Sequence, residues 1–361
     1  MIKFLHAADL HLDSPFRSLP PERAAQRRGE QRALLTELAD LANRRGADLL
    51  LLSGDLFDSA LVGADTLDAL RRALRSCRAR VFIAPGNHDF CAPGSPWRGT
   101  WPENVHVFQS PAPEEVFLPE LNASVWGAAF AAPTAGPLLA GFRVRDPGAL
   151  NLMVLHGDAE TPASPYDPIS TDEIAASGLD YLALGHIHAA SGPRRAGKTV
   201  YAWPGCPMGR GFDELGEKGA YFGTLGREGC TLEFCPLPGR RYGILTAAAG
   251  DDPLAAVEAA LPPDTKNDIY RVVLTGEADE PDTRALTAAL ADRFWSLSVR
   301  DETTPRRDLW AAAEEDTLRG AFLRRLRAAM DAAPDGETRE RCALAAKLGL
   351  AAMEGREVSE P

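Results

Sequence analysis

The sequence predicts an α/β protein built on two packed sheets, followed by a small mixed unit and C-terminal helices. Three observations predict this. Over the first two-thirds of the 361 residues, short apolar runs alternate with stretches of helical periodicity. A β-rich stretch follows, from "KTVYAWPG" through "KGAYFGTLG" to "CTLEFCPL". Several apolar runs also end in short clusters of Asp, Asn and His, and open α/β sheets place ligand sites beyond the carboxyl ends of their strands.

The elements follow in order. "IKFLHAA" reads as the first strand. "PERAAQRRGEQRALLTELADLANRRG" reads as a helix, with proline near its start and glycine at its end. "ADLLLLSGD" is a buried strand entering a Gly-Asp turn, "ADTLDALRRALRSC" a helix, and "ARVFIAPGNHD" a strand and turn. "NLMVLHGD" and "GLDYLALGHIH" are further strands with polar ends. The character changes after "PLPGRRYG". "YGILTAA", "DIYRVVLTG" and "WSLSVRDE" read as strands, with "PLAAVEAALP" and "DTRALTAALADRF" as helices between them, a small β-α-β-α-β unit. The tail, from "RDLWAAAEEDTLRGAFLRRLRAAM" to "RERCALAAKLGLAAM", reads as two amphipathic helices joined by "DAAPDGE". The expected organisation is a core over 1–238, the small unit over 239–303 and helices over 304–361.

Length favours more than one domain. With 45% hydrophobic and 25% charged residues and no long uninterrupted apolar stretch, the composition is that of a globular protein rather than a membrane-spanning one. The start "MIKFLHAAD" lacks the features of a signal peptide, so a cytoplasmic location is expected. Six cysteines without a CxxC pair are expected to be free thiols. A net charge of −12 argues against coating nucleic acid by bulk electrostatics. The arginine clusters in "PERAAQRRGEQR", "RRALRSCRAR" and "LRGAFLRRLR" read first as solvated helix faces.

Five of the seven histidines sit in the strand-end clusters: His11, His88, His156, His186 and His188. Asp9, Asp55, Asn87 and Asp89 accompany them. Imidazole, carboxylate and amide oxygen without thiolate suit Mn²⁺, with Fe and Zn²⁺ as alternatives. Asp9, His11, Asp55, Asn87, His156, His186 and His188 supply enough donors for two divalent ions if one carboxylate bridges, at the separation of about 3.5–4 Å used for in-line displacement at phosphorus. Asp55 is the expected bridge, because "LLLLSGD" delivers it from a buried strand and Gly54 permits close backbone approach. His88 adjoins the ligand Asn87 and is the expected proton donor to the leaving group, with Asp89 fixing its tautomer. His6 and His106 read as strand or core positions, and Trp97 and Trp101 as closing an apolar gap. Asp13 has no assigned chemistry beyond shaping a turn. Leu318, Phe322, Leu323 and Leu326 line one side of a C-terminal helix, which reads as packing on its own small unit.

DxH, GD, GNHD, HG and GHxH, present as Asp9-Leu-His11, Gly54-Asp55, Gly86-Asn87-His88-Asp89, His156-Gly157 and Gly185-His186-Ile187-His188, resemble the motif series of the calcineurin-like metallophosphoesterases. The resemblance implies a two-sheet αββα sandwich. It assigns Asp9, His11, Asp55 and His188 to one ion and Asp55, Asn87, His156 and His186 to the other, with His88 catalytic. Phosphoprotein phosphatases continue the second motif with an arginine. Here "GDLFD" instead resembles the SbcD-type DNA-repair nucleases, most of all their YhaO-like branch. The opening "HAADLHLDSPF", the "YAWPG…GR…EKGAY" segment and "VRDET…EDTLRG" share that likeness.

For that family the resemblance implies a metal-dependent DNA exonuclease, with endonuclease activity as a second possibility, acting in double-strand-break repair. It implies a second domain that caps the site and contacts DNA, C-terminal helices that dock an SMC-like coiled-coil ATPase, and a homodimer. Two positions depart from the pattern. Asp58 stands where archaeal and eukaryotic relatives carry histidine, and Cys206 where a polar residue is usual; Cys206 reads as a buried structural thiol. The competing expectations are a small-molecule phosphodiesterase or phosphatase of the same fold, and a non-catalytic subunit tethering the ATPase.

Overall fold

The computed structural model describes residues 1–278, 281–304 and 310–353. The chain divides into two compact units. The first comprises Met1–Ile244, Asp264–Tyr270 and Phe294–Ser296; the second comprises Leu245–Pro263, Arg271–Arg293 and the chain from Leu297 on.

The first unit holds two six-stranded sheets. Its strands are β1 (Ile2–Ala7), β2 (Leu49–Leu52), β3 (Arg80–Ile83), β4 (Val105–Val107), β5 (Glu114–Leu118), β6 (Ala123–Gly127), β7 (Leu150–His156), β8 (Tyr181–Gly185), β9 (Arg194–Ala196), β10 (Thr199–Ala202), β11 (Gly219–Gly226) and β12 (Gly229–Pro236). One sheet runs β12-β11-β1-β2-β3-β4, the other β5-β6-β7-β8-β10-β9. The helices are α1 (Pro21–Arg45), α2 (Ala64–Ser76) and α3 (Thr171–Ser177).

The central strands are parallel and buried on both faces, which is why they read as continuous apolar runs. Leu5, Leu50 and Val81 face the α1 and α2 side, packing with Leu35, Leu38 and Leu70. Phe4, Leu49, Leu51 and Phe82 face the second sheet, meeting Leu152, Val154, Tyr181 and Ala183. The second sheet's other face, with Met153, Leu155, Leu182 and Leu184, packs with Ile174 of α3. The layers are therefore helix, sheet, sheet, helix, the sandwich that the resemblance implies.

His6 is a polar tie between the sheets. It is fully buried; its Nδ1 lies 2.8 Å from Tyr181 Oη and its Nε2 3.0 Å from the Leu184 carbonyl. The carbonyl accepts from Nε2–H, and Nδ1 accepts from the tyrosine hydroxyl. Burial lowers its pKa from 6.5 to about 3. Between those pH values the unfolded chain binds a proton that the folded chain does not. This contribution to stability is therefore complete above the unfolded value and falls as pH drops, by about 1.4 kcal/mol per unit. Urea unfolding of metal-free protein at stepped pH should show wild type losing about 2 kcal/mol more than His6→Gln between pH 7 and pH 5; parallel curves refute the assignment.

The other set-aside residues behave as expected. His106 lies in β4 between Phe82 and Phe108. Trp97 is buried and stacks on Trp101 and Phe57. Asp13 accepts from the Gly63 N–H and Thr66 hydroxyl, tying its turn to the start of α2. All six cysteines are unpaired.

The predicted β-α-β-α-β order is present as β13 (Tyr242–Ala248), α4 (Pro253–Ala260), β14 (Ile269–Thr275), α5 (Thr283–Ala289) and β15 (Ser296–Asp301), the three strands forming a sheet in that order. Helices α6 (Leu318–Asp331) and α7 (Gly336–Met353) follow. The first C-terminal helix is shorter than expected. Arg307 to Leu309 lie outside the described residues, Ala311–Glu314 is a single 3-10 turn, and Thr317 caps α6 by accepting the Gly320 N–H at 3.1 Å. Leu318 consequently sits in the first turn and is 81% exposed, whereas Leu323 is buried against Ala313 and Ala346. Among the described residues, no helix is long and apolar enough to cross a membrane.

Candidate metal centre

The polar ends of β1, β2, β3, β7 and β8 converge. The loops after β1 and β2 are stitched together by backbone: Asp9 N–H donates to the Gly54 carbonyl at 3.0 Å, His11 N–H to Asp55 at 2.9 Å, and Leu12 N–H to Leu56 at 2.8 Å. Four predicted ligands hold the left-handed backbone region, Asp9 at φ 54°, His11 at 45°, Asp55 at 50° and His186 at 92°. Such conformations cost side-chain-bearing residues of order 1–3 kcal/mol each and cluster at functional sites. Gly54, at φ 80°, lies directly under His156; a Cβ there would come 2.6 Å from its Nδ1.

The side chains then aim their lone pairs at one another. His156 Nδ1–H donates to the Ser53 carbonyl at 3.0 Å. Nε2 lies 2.9 Å from Asn87 Oδ1 and 3.3 Å from Asp55 Oδ2, oxygens that only accept: protonated, it donates to them, and deprotonated it offers its lone pair to a cation. Across the site His188 Nε2 faces His11 Nε2 at 3.2 Å, and Asp55 Oδ2 is 3.9 Å from His11 Nε2. Asp9 accepts the His186 N–H at 3.0 Å, and Asp55 Oδ1 accepts the His88 N–H at 2.8 Å. Three groups of potential ligand atoms result: Asp9, His11 and His188; Asp9, Asp55 and His156; and, nearer the surface, His11, Asp58 and His88. Their nitrogens and oxygens face one another within 4.8 Å in a pocket where Asp9, His11, Asp55 and His156 are buried.

This donor set fits divalent cations. Burial alone would lower the His156 pKa, yet the carboxylates of Asp55 and Asp9 outweigh it and push it up to about 10. Burial alone would raise that of Asp55, yet His156, His11 and His88 hold its carboxyl well below the usual range. The pocket demands positive charge, and a cation among these acceptors relieves their mutual repulsion.

The calcineurin-like phosphoesterase family model matches residues 2–190, the stretch that carries all of these ligands. The chain belongs to the calcineurin-like phosphoesterases. It is 35% identical over 246 residues to the uncharacterized metallophosphoesterase YhaO of Bacillus subtilis (strain 168), covering 64% of this chain and 60% of that one. It is 26% identical over 253 residues to the DNA double-strand break repair protein Mre11 of Saccharolobus solfataricus, covering 61% and 60%. The matched stretch thus spans less than two-thirds of either relative. A solved structure of a dimetal phosphatase from Danio rerio aligns with a TM-score of 0.42 at 13% identity, over 64% of this chain and 95% of that one.

The phosphoesterase core places the remaining predicted residues as follows. The His186 ring lies edge-on to His156, 5.3 Å between centroids, with Nε2 4.0 Å from Asp158 Oδ2; it borders the second group without joining its convergent atoms. His88 is exposed over the site, its Nδ1 3.0 Å from the Asp58 carbonyl and its ring 4.8 Å from His11. The expectation that Asp89 fixes the His88 tautomer is corrected. The carbonyl of Asp58 takes that place, and the Asp89 carboxylate is buried, accepting the N–H groups of Gly86 at 2.8 Å, Leu56 at 2.8 Å and Phe57 at 3.3 Å. Burial and the nearby Asp55 charge raise its pKa to about 7.

Cys206 is fully buried beneath the site, its N–H donating to the His188 carbonyl at 3.1 Å. Burial pushes its thiol up to about 12, so it is a structural thiol as expected. Sequence reasoning missed Glu214 and Arg210, which contact His188 from 26 and 22 residues away. The one signal is the Gly209-Arg210 pair in the family-like "YAWPG…GR…EKGAY" segment, and no motif spacing reaches Glu214.

Proposed function

We propose that this phosphoesterase is a metal-dependent DNA nuclease. The observation that carries the reading is the similarity to Mre11, a DNA double-strand break repair protein, over a stretch longer than the family model covers. In this reading Asp9, His11, Asp55 and His188 hold one ion, Asp55, Asn87, His156 and His186 the other, and Asp55 bridges. When bound, two divalent ions, Mn²⁺ foremost, supply Lewis acidity toward the phosphoryl oxygens and lower the pKa of the attacking water. His88 delivers the proton to the leaving oxygen; the Asp58 carbonyl engages Nδ1, so Nε2 is the nitrogen that faces the substrate. Residues 1–238 form the nuclease core, 239–303 cap it and contact DNA, and the helices within 304–361 dock a coiled-coil SMC-like ATPase in the cytoplasm. The protein works as a homodimer, with exonuclease activity foremost.

The test is incubation of the full chain with linear duplex and single-stranded DNA in Mn²⁺, with and without the ATPase. Cleavage that disappears with a chelator is expected; none under any of these conditions refutes the nuclease. Nucleotides turned over faster than DNA would favour a small-molecule phosphodiesterase. His88→Ala should lower kcat by about 10²–10⁴-fold while leaving KM and the number of bound Mn²⁺ ions unchanged. Unaltered kcat would remove His88 from the chemistry.

A further inference from the structure

Behind the imidazoles of His11 and His188 lie three side chains outside the donor set of Asp9, His11 and His188. Glu214 Oε1 is 2.8 Å from His188 Nδ1. Asp58 Oδ1 is 3.3 Å from His11 Nδ1, a buried nitrogen with no hydrogen bond. Arg210 spans the two carboxylates, with Nη1 3.0 Å from Asp58 Oδ1 and Nη2 2.7 Å from Glu214 Oε1. Each carboxylate is pinned again from elsewhere: Glu214 Oε2 accepts the Arg210 backbone N–H at 2.7 Å, and Asp58 Oδ1 accepts the Ser14 hydroxyl at 3.0 Å.

The tautomer follows from donor chemistry. A carboxylate only accepts, so the short Glu214 contact requires Nδ1–H on His188, and of the two neutral tautomers selects the one whose Nε2 lone pair is open to a metal on the His11 side. Arg210 Nη2 lies 3.1 Å from the same Nδ1 but is itself only a donor, so its proton goes to Glu214 Oε1. The guanidinium keeps two buried or half-buried carboxylates from standing uncompensated. Closing the Gly209–Glu214 turn needs only the contacts between Arg210 and Glu214. Aiming a carboxylate at the Nδ1 of each of two histidines is a further feature, and it is the one that matters for a metal.

We propose that Asp58, Arg210 and Glu214 form a positioning clamp that sets the tautomer of His188 and the aim of His11 and His188, and so the affinity for one ion of the pair. The inference rests on the dinuclear reading above. The group of Asp55, Asn87 and His156 has its own orienting contact, the Ser53 carbonyl on His156, and lies outside the clamp.

The experiment is Mn²⁺ titration of the full, metal-free chain, followed by calorimetry and Mn²⁺ electron paramagnetic resonance. Wild type should bind two ions. Glu214→Gln should weaken one by about 10–100-fold and leave the other unchanged, and Asp58→Asn should weaken the same one. At saturating Mn²⁺, kcat of Glu214→Gln should return toward wild type with KM for DNA unmoved. Two ions at wild-type affinity in Glu214→Gln, or a raised KM with metal binding intact, overturns the clamp and leaves the dinuclear reading standing. A wild type that binds no Mn²⁺ overturns the dinuclear reading itself. A second measurement needs no folded variant: long-range ¹⁵N–¹H spectra of the metal-free wild type should show His188 as the Nδ1–H tautomer, and the Nε2–H tautomer overturns the clamp.

Discussion

Asp55→Asn is expected to abolish turnover, with a loss of at least about 10³-fold, larger than the 10–100-fold typical of losing a group that only orients a ligand. The two Asp55 oxygens do different work. Oδ1 accepts the His88 N–H and so fixes the loop that carries Asn87 and His88. Oδ2 lies between the two imidazole groups, 3.3 Å from His156 Nε2 and 3.9 Å from His11 Nε2. Asparagine can keep the first contact by presenting its carbonyl oxygen to the His88 N–H. It then turns an NH₂ group toward the histidine nitrogens and removes the negative charge that balances them. Both ions should therefore bind more weakly, and excess Mn²⁺ should not restore the rate. This contrasts with Glu214→Gln, where one ion is affected and saturation helps. Calorimetric Mn²⁺ titration and kcat at saturating Mn²⁺ check both halves; turnover within about tenfold of wild type would mean that Asp55 does not bridge.

The parts of the site legible in the sequence share one physical cause. β2 and β8 are parallel central strands, apolar on both faces, so each reads as an unbroken run and its carboxyl end is marked by the first polar residues after it. Asp55, His186 and His188 stand at those marks, His156 closes β7 in the same way, and the Gly-Asp and Gly-His pairs show where the backbone must turn sharply. The strands β5 and β6 carry no such mark. They form an antiparallel pair toward the sheet edge, in a stretch punctuated by proline and a left-handed Asn122, and the apolar run at β6 ends in alanines and Phe130 rather than in Asp, Asn or His. Glu214 and Arg210 were hidden because their partners are set by tertiary placement of the loop after β10, which local periodicity does not report. Asp89 was legible as important but misread in role. The GNHD run places it next to His88 in sequence, while the turn sends its side chain the other way, into the core between the loops that follow β2 and β3.

That reversal makes Asp89→Ala the largest expected loss of stability in the core. The substitution leaves the N–H groups of Gly86, Leu56 and Phe57 buried without their acceptor. Each unmet donor costs about 1–3 kcal/mol, so a total of about 4 kcal/mol is expected, among the more severe effects of a single change. Methyl replaces carboxylate at a buried position, and the Asp89 backbone carbonyl, which accepts the indole N–H of the buried Trp97, is unaffected by the change. Activity should fall too, but through the loops: Asp89 ties the segment after Asp55 to the segment that carries Asn87 and His88. The two explanations separate cleanly. If Asp89 oriented His88, Asp89→Ala would lower kcat at every temperature while unfolding near the wild-type midpoint, as His88→Ala should. If it anchors the loops, the urea midpoint drops sharply, and residual activity follows the folded fraction, recovering on cooling or with saturating Mn²⁺, which favours the folded state by mass action. A wild-type unfolding midpoint with activity lost would restore Asp89 to the catalytic set.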